Sequence, residues 1–204
     1  MHISCRALGE VMTTYGLTKD NRSKYYVWIV LVSLLLEYGA YTLWFSKIKV
    51  GEQWEFVVQL LLSLCSFSVI ATLIITIVDV LYTKLNKING VYDVKIESSY
   101  KGKTEINAKL EIKVGLRKAK IELRTATSKS SSKTIFIDNI DKDNYQIVYT
   151  YHNDGNCYEG NKLTKHEGTS VLTFNKKELK EGYYYNGAGR RTYGTFIIKG
   201  KQSK

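Results

Sequence analysis

The chain has 204 residues, with 30 Lys and Arg against 19 Asp and Glu, a formal charge of +11, three cysteines and no proline. A positive field of that size favours an anionic partner: nucleotide, nucleic acid or acidic lipid. Cys5, Cys65 and Cys157 imply no disulfide framework, and His2, His152 and His166 have no Cys or carboxylate cluster at metal-ligand spacing, so neither a structural zinc nor a cofactor is expected.

Residues 1–24 are a short basic segment, followed by two apolar runs, Tyr25–Phe45 and Phe56–Val78. Each run is long enough to cross about 30 Å of hydrocarbon, which takes roughly 20 helical residues. The polar link Ser46–Glu55 leaves room only for a tight turn, so residues 25–84 read as a two-helix transmembrane hairpin. Arg6, Lys19, Arg22 and Lys24 precede the first run and Lys84 and Lys87 follow the second, against Lys47 and Lys49 in the link. The positive-inside rule therefore puts both termini in the cytoplasm of a multi-pass inner-membrane protein. Tyr25, Tyr26, Trp28, Tyr41, Trp44 and Trp54 stand where aromatic side chains settle at headgroup depth. A cleaved signal peptide is the competing reading, but the first run exceeds a usual h-region and a second span follows at once.

Polar residues sit within these runs. Glu37 lies mid-span in the first, and Gln59, Ser63, Ser66, Ser68 and Thr76 stud the second. An ionisable group at bilayer depth is costly, and helices carrying one gain by finding a partner for it. Glu37 can pair with Gln59 inside one hairpin, or the two can serve a contact between subunits or a pore lining.

Residues 85–204 carry 23 Lys and Arg against 13 Asp and Glu, and their pattern is β throughout. Ile106–Val114 alternates apolar and polar positions, as a strand with one buried face must. Val91–Ile96, Ala119–Leu123, Thr134–Ile137, Tyr145–Tyr151, Ser170–Phe174, Tyr183–Tyr185 and Thr195–Ile198 repeat the theme. Eight short strands separated by turns point to an all-β antiparallel domain, a minimal eight-stranded barrel, with at most one helical turn near Lys176–Lys180.

Three clusters could bind a ligand. Thr125–Ser132 presents hydroxyls with little bulk, Thr125, Ser128 and Ser130 among them, suited to a phosphate or a base edge; a flexible serine-rich loop explains the same run. Tyr149 and Tyr151 fall on one face of a strand, where rings stack on a base or fill a barrel. His166 and Thr169 open the following strand, and Arg190 and Arg191 follow Gly189 in a late turn, where arginines clamp phosphate in bidentate fashion or are simply solvated.

In order, the T-x-x-S-x-S segment, the Y-x-Y strand followed by Asn153, His166-x-Gly168-Thr169-x-x-Leu172, Gly182-x-Tyr184 and Arg190-x-x-x-Gly194 resemble the two-transmembrane, β-strand-rich effectors of bacterial CBASS antiphage defence. The resemblance implies a receptor and not an enzyme. A cognate CD-NTase would make a cyclic di- or oligonucleotide messenger, the barrel would bind it, and the spans would associate into a homo-oligomer that breaches the inner membrane and kills the infected cell. It also implies no nucleic-acid polymer as partner, Arg190 or Arg191 on a phosphate, Tyr151 stacked on a base, and Thr125, Ser128 and His166 as polar contacts. The alternative from the residues alone is a membrane-anchored scaffold whose basic β domain holds nucleic acid or acidic lipid, its interior filled by its own side chains. A membrane enzyme is disfavoured, since residues 85–204 show no paired carboxylates, no nucleophile elbow and no P-loop.

Overall fold

The computed structural model describes residues 14–17, 19–49, 51, 54–100, 102, 104–140, 143–153, 166–187 and 191–202. These form two compact units: the helices, Lys19–Tyr82, and the strands, which begin past Thr83 and include one strand from before the helices.

In the first unit, α1 (Lys19–Leu43) and α2 (Glu55–Leu85) are joined by a short 3-10 turn at Phe45–Lys47. Both are long and apolar enough to cross a bilayer. Leu60, Leu64, Val69, Leu73 and Ile77 of α2 are all exposed, a surface that water does not tolerate at this extent. Residue numbers rise on one helix as they fall on the other: Tyr25 packs edge-on against Tyr82 with ring centres 5.8 Å apart, Ser66 Oγ donates to Glu37 Oε2 at 2.6 Å, and Tyr41 Oη donates to Gln59 Oε1 at 3.2 Å. The hairpin is thus antiparallel, and its register does not pair Glu37 with Gln59. That register sets Ser66 across from Glu37, while Gln59 donates to Glu55 Oε1, one turn back on its own helix. Glu37 is 9% exposed although it lies on a helix whose neighbours face outward.

The second unit contains β1 (Thr14–Leu17), β2 (Gly90–Ser98), β3 (Thr104–Val114), β4 (Ala119–Thr125), β5 (Lys129–Asn139), β6 (Asn144–Asn153), β7 (His166–Asn175), β8 (Glu178–Asn186) and β9 (Tyr193–Lys201). Strands β2 to β9 pair antiparallel in the order β5-β4-β3-β2-β9-β8-β7-β6, and β6 returns to β5. This is the closed eight-stranded barrel that the alternation implies, and closure removes the sheet edges that would otherwise invite aggregation. Its inner positions are filled. Leu110, Ile112, Ile121, Ile135, Ile147, Leu172 and Phe174 have no exposed surface, and Tyr145 stacks on Phe174 at 4.8 Å.

One end of the barrel is closed by side chains. Asn89 Oδ1 accepts from the Val114 N–H at 2.7 Å, while its Nδ2 donates to the carbonyls of Val114 at 3.0 Å and Thr83 at 2.8 Å. Tyr92 Oη donates to the Ile88 carbonyl at 2.7 Å, and Ile88 before β2, Leu116 in the β3–β4 turn and Leu179 at the start of β8 are buried at this end.

Two features depart from the sequence expectation. The tie between β7 and β8 is a two-residue turn and not a helical turn: Lys176 and Lys177 take φ of 48° and 69°, the left-handed pair that a tight hairpin of this twist demands. And Thr14–Leu17 pairs in parallel with Thr134–Ile137. The ladder of β4 with β5 spans only Lys129–Ser131, because a bulge between Ser132 and Thr134 turns β5 away; β1 occupies the edge so released.

On the outer face Glu122 is almost fully covered by three cations: Lys120 Nζ at 2.6 Å, Arg124 at 2.6 Å and Lys129 Nζ at 3.0 Å. Burial pushes its carboxyl up, but the hydrogen bonds from Lys120, Arg124 and Lys129 outweigh that and hold it down at about 2. A carboxyl lowered on folding stabilises the fold above its unfolded value and loses that contribution as pH falls toward the folded one. Urea midpoints of the purified protein should therefore drop between pH 4.5 and 2, and Glu122→Gln should flatten that part of the curve. Identical pH profiles for the two proteins would show that the cluster does not support the fold.

Candidate functional site: the polar mouth of the barrel

The strands alternate in direction, so the ends of β2, β4, β6 and β8 meet the starts of β3, β5, β7 and β9 at the opposite end from Asn89. Here the inward positions change from aliphatic to polar. Ser98, Thr125, Ser130, Asn153, His166, Gly168 and Asn186 all belong to this end. The sequence candidates Thr125, Ser128, Ser130, Tyr151 and His166, far apart in the chain, are brought to one rim.

Strand β6 supplies the central column. Tyr149 and Tyr151 point inward and are 3% and 6% exposed, with ring centres 6.1 Å apart; Tyr151 also meets the His166 ring edge-on at 6.5 Å. Burial pushes the Tyr149 hydroxyl up to about 12, so it is a neutral phenol at physiological pH. Tyr151 Oη donates to Asn186 Oδ1 at 2.6 Å, and Asn186 Nδ2 donates to Thr192 Oγ1 at 2.6 Å. Glycine is needed opposite this chain: a Cβ on Gly168 would lie 2.5 Å from Tyr151 Oη and 2.6 Å from Asn186 Oδ1.

The hydroxyl run divides into two parts. Thr125 Oγ1 accepts the Ser128 N–H at 2.9 Å and the Thr127 N–H at 3.2 Å, which makes it the pin of the β4–β5 turn. Ser130 and Ser132 lie within β5 itself, buried: Ser130 Oγ accepts from Asn153 Nδ2 at 2.8 Å, and Ser132 Oγ accepts the Ile121 N–H at 3.0 Å where the bulge has opened the ladder. Across the mouth, Tyr184 Oη donates to Ser98 Oγ at 2.6 Å and the Tyr193 N–H to Ser99 Oγ at 3.0 Å. Ser98, Ser99, Asn186 and Thr192 were not singled out by sequence. Ser98 and Asn186 are polar residues at inward strand positions, legible once the closure of the barrel is known; Ser99 and Thr192 lie just outside the strands, where no such period applies.

Three sequence candidates fare differently. Thr169 occupies an outward position between Gly168 and Ser170 and does not line the mouth. Arg191 is exposed beyond the start of β9; Arg190 lies outside the described residues, as do Cys5, Cys157 and His2. On the rim's outer side Glu167 contacts Lys133 Nζ and stands 3.6 Å from His152 Nδ1. The mouth therefore offers hydroxyls, amides, an imidazole and aromatic rings, with cations at its border. A shallow groove of about 450 Å³ lies on the outer wall, lined by Asn107, Lys109, Arg124 and Lys199 and reaching Thr125 and Ala126 of the β4–β5 turn. Among the described residues no three His, Cys, Asp or Glu side chains come together as a metal site.

The family model described as "Cap15, cyclic dinucleotide receptor domain" matches residues 83–200, more than half of the chain and the whole of the barrel from β2 onward. The chain belongs to the Cap15 family. It is also similar to the CD-NTase-associated protein 15 of Yersinia aleksiciae, 41% identical over 83 residues, 40% of this chain and 39% of that protein. The similarity thus spans about two fifths of that relative's length. Both findings support a CBASS effector of the Cap15 type, with the receptor domain falling on the strands and not on the helices.

Within this Cap15 barrel the mouth is held by hydrogen bonds that can be removed singly. Tyr151→Phe would leave Asn186 Oδ1 without its donor, at a cost of about 1–3 kcal/mol if the acceptor stays buried. A lowered melting temperature with unaltered barrel circular dichroism is the expected outcome; an unchanged melting temperature would mean that water replaces the phenol at no cost.

Proposed function

We propose that the mouth of this barrel binds a cyclic di- or oligonucleotide made by a cognate CD-NTase, and that binding drives the helices, spanning the inner membrane, to assemble and breach it. The observation that carries the reading is the gathering of Tyr151, His166, Ser130 and Asn153 at one end of a domain that matches a cyclic dinucleotide receptor family. A cyclic dinucleotide has two phosphates and two bases. Flat rings suit the bases, hydroxyls and amides their edges, and Arg190 and Arg191 the phosphates. In this reading residues 1–24 and 85–204 are cytoplasmic and residues 25–84 are the membrane hairpin.

The role is that of a receptor. Assembly follows only if the assembled state binds the nucleotide more tightly than the single copy, because a ligand with equal affinity for both shifts nothing. Glu37 and Gln59 are the polar groups we assign to helix association. Glu37 already holds Ser66 within its hairpin through one oxygen, and its other oxygen has no hydrogen-bond partner among the described residues, which supports a contact to a second copy.

A second reading, the membrane-anchored scaffold for nucleic acid or acidic lipid, is favoured by the packed barrel interior and by the outer groove with Lys109, Arg124 and Lys199. Calorimetric titration of the detergent-solubilised protein with a panel of cyclic dinucleotides separates the two, since a scaffold gives no heat with any of them while binding acidic vesicles.

Replacing Arg190 and Arg191 together with alanine should weaken nucleotide binding by about 2–5 kcal/mol if they clamp a desolvated phosphate. Equal affinity in a folded double variant would remove them from the site. Tyr151→Ala should cost about 1–3 kcal/mol of affinity if the ring stacks on a base. Loss of thermal stability alone would return Tyr151 to the core. Glu37→Leu should leave nucleotide affinity intact and abolish dye uptake by cells that coexpress the cognate synthase. Full uptake by this variant would eliminate polar contacts as what holds the assembly together.

A further inference from the structure

The two sides of the barrel wall differ in charge. On β2, β3 and β4 the outward positions are almost all ionised, with Asp93, Lys95, Lys109, Glu111, Lys120 and Arg124 in neighbouring rows. On β5 to β9 the registers connect two outward rows that carry no charge. One row runs through Phe136, Val148, Val171, Tyr183 and Thr195, with Val171 itself covered and Val148 half-buried between the exposed rings. The next runs through Thr134, Thr150, Thr169, Tyr185 and Tyr193. Phe136, Tyr183, Tyr185 and Tyr193 are 47%, 48%, 51% and 69% exposed. Charges return at the borders: Lys133 with Glu167 above, and Asp138 and Glu181 below.

We propose that this uncharged wall, centred on β6 and β7, is where the barrels of two copies of the chain meet. An apolar and hydroxyl centre with a charged rim is the anatomy of a protein interface. A second copy is the occupant that the charges select. Residues 85–204 carry 23 Lys and Arg against 13 Asp and Glu, so two barrels repel unless they approach through a face with no charge to desolvate or oppose. Size sets the strength. With strands about 4.8 Å apart and residues about 3.4 Å apart, the part of two rows that a second convex wall can touch covers roughly 200–300 Å². A contact stable by itself needs about 800 Å² per partner. This wall therefore adds to an association that another part of the chain drives, and it rests on the assembly proposed for the helices.

The test uses the full-length chain with Cys5, Cys65 and Cys157 replaced by serine, expressed in membranes and oxidised with copper phenanthroline. Cysteine introduced at Thr150 or Tyr185 should form intermolecular disulfides several-fold faster than cysteine at Lys109 or Lys120 on the charged wall. Equal rates on both walls, or faster linkage through the charged one, would overturn the proposal. Thr150→Lys and Thr150→Glu should each slow linkage at Tyr185→Cys, and coexpression of the two should restore it. If neither charge slows linkage, and Thr150→Lys instead raises binding to phosphatidylglycerol vesicles, the wall faces lipid and the proposal fails. Calorimetry on the same variants with the cyclic dinucleotide panel keeps the two readings apart: binding that persists without wall linkage sinks the wall alone, and no binding by the unsubstituted chain sinks the receptor.

Discussion

Closure of the barrel is the constraint from which the other features follow. An eight-stranded barrel has an interior about wide enough for side chains or one small ligand. Here that space is taken by Leu110, Ile112, Ile121, Ile135, Ile147, Leu172 and Phe174, and one end is stoppered by the Asn89 clamp on Val114. A ligand entering the barrel, as proposed, would have only the other end. The polar residues of Ser98, Ser130, Asn153 and Asn186 sit there because the aliphatic packing stops short of it, and each is tied to another polar group, so the mouth is preorganised rather than collapsed.

Closure is also imperfect at one seam, with consequences on both sides of the wall. The bulge at Ser132–Thr134 ends the ladder between β4 and β5, and two substitutes repair the loss: the Ser132 hydroxyl takes the Ile121 N–H, and β1 takes the backbone of Thr134–Ile137. The same bulge sets Ser130 and Ser132 inward while Thr134 and Phe136 turn outward. A single extra residue thus supplies hydroxyls to the mouth and uncharged side chains to the outer wall.

Most of this was legible in the sequence for one reason: strands buried on one face announce themselves by alternation. Ile106–Val114 or Tyr145–Tyr151 needs no partner to be recognised. The misses are segments whose state is set by a distant neighbour. Thr14–Leu17 is four residues with no period to read, and its strand form comes from the edge that β5 releases. Lys176–Lys177 contains no glycine or asparagine to signal a left-handed turn, and the flanking ladder Asn175–Glu178 imposes one. In the candidate site, Tyr151, Ser130 and His166 were singled out because ring and hydroxyl types are informative. Ser98 and Asn186 were not, because their partners Tyr184 and Tyr151 are 86 and 35 residues away. Glu37 was flagged by its cost in an apolar helix, while its partner Ser66 depended on a helix register that sequence does not fix.

The physical case for joining the two halves is that they pull in opposite directions. Helix α2 presents an apolar surface with no buried residue, and a polar carboxyl on α1 keeps one oxygen without a hydrogen-bond partner among the described residues. The apolar surface is at home in lipid, whereas the carboxyl oxygen is unfavourable for a single hairpin and is relieved by a neighbour that offers it a donor. The barrel, by contrast, is closed and carries net positive charge, so two barrels repel unless they approach through uncharged surface. In the assembly proposed above, repulsion between basic barrels opposes association of separate copies. A dianionic ligand bound at the mouth, as proposed, would weaken that repulsion, since each one bound removes positive charge.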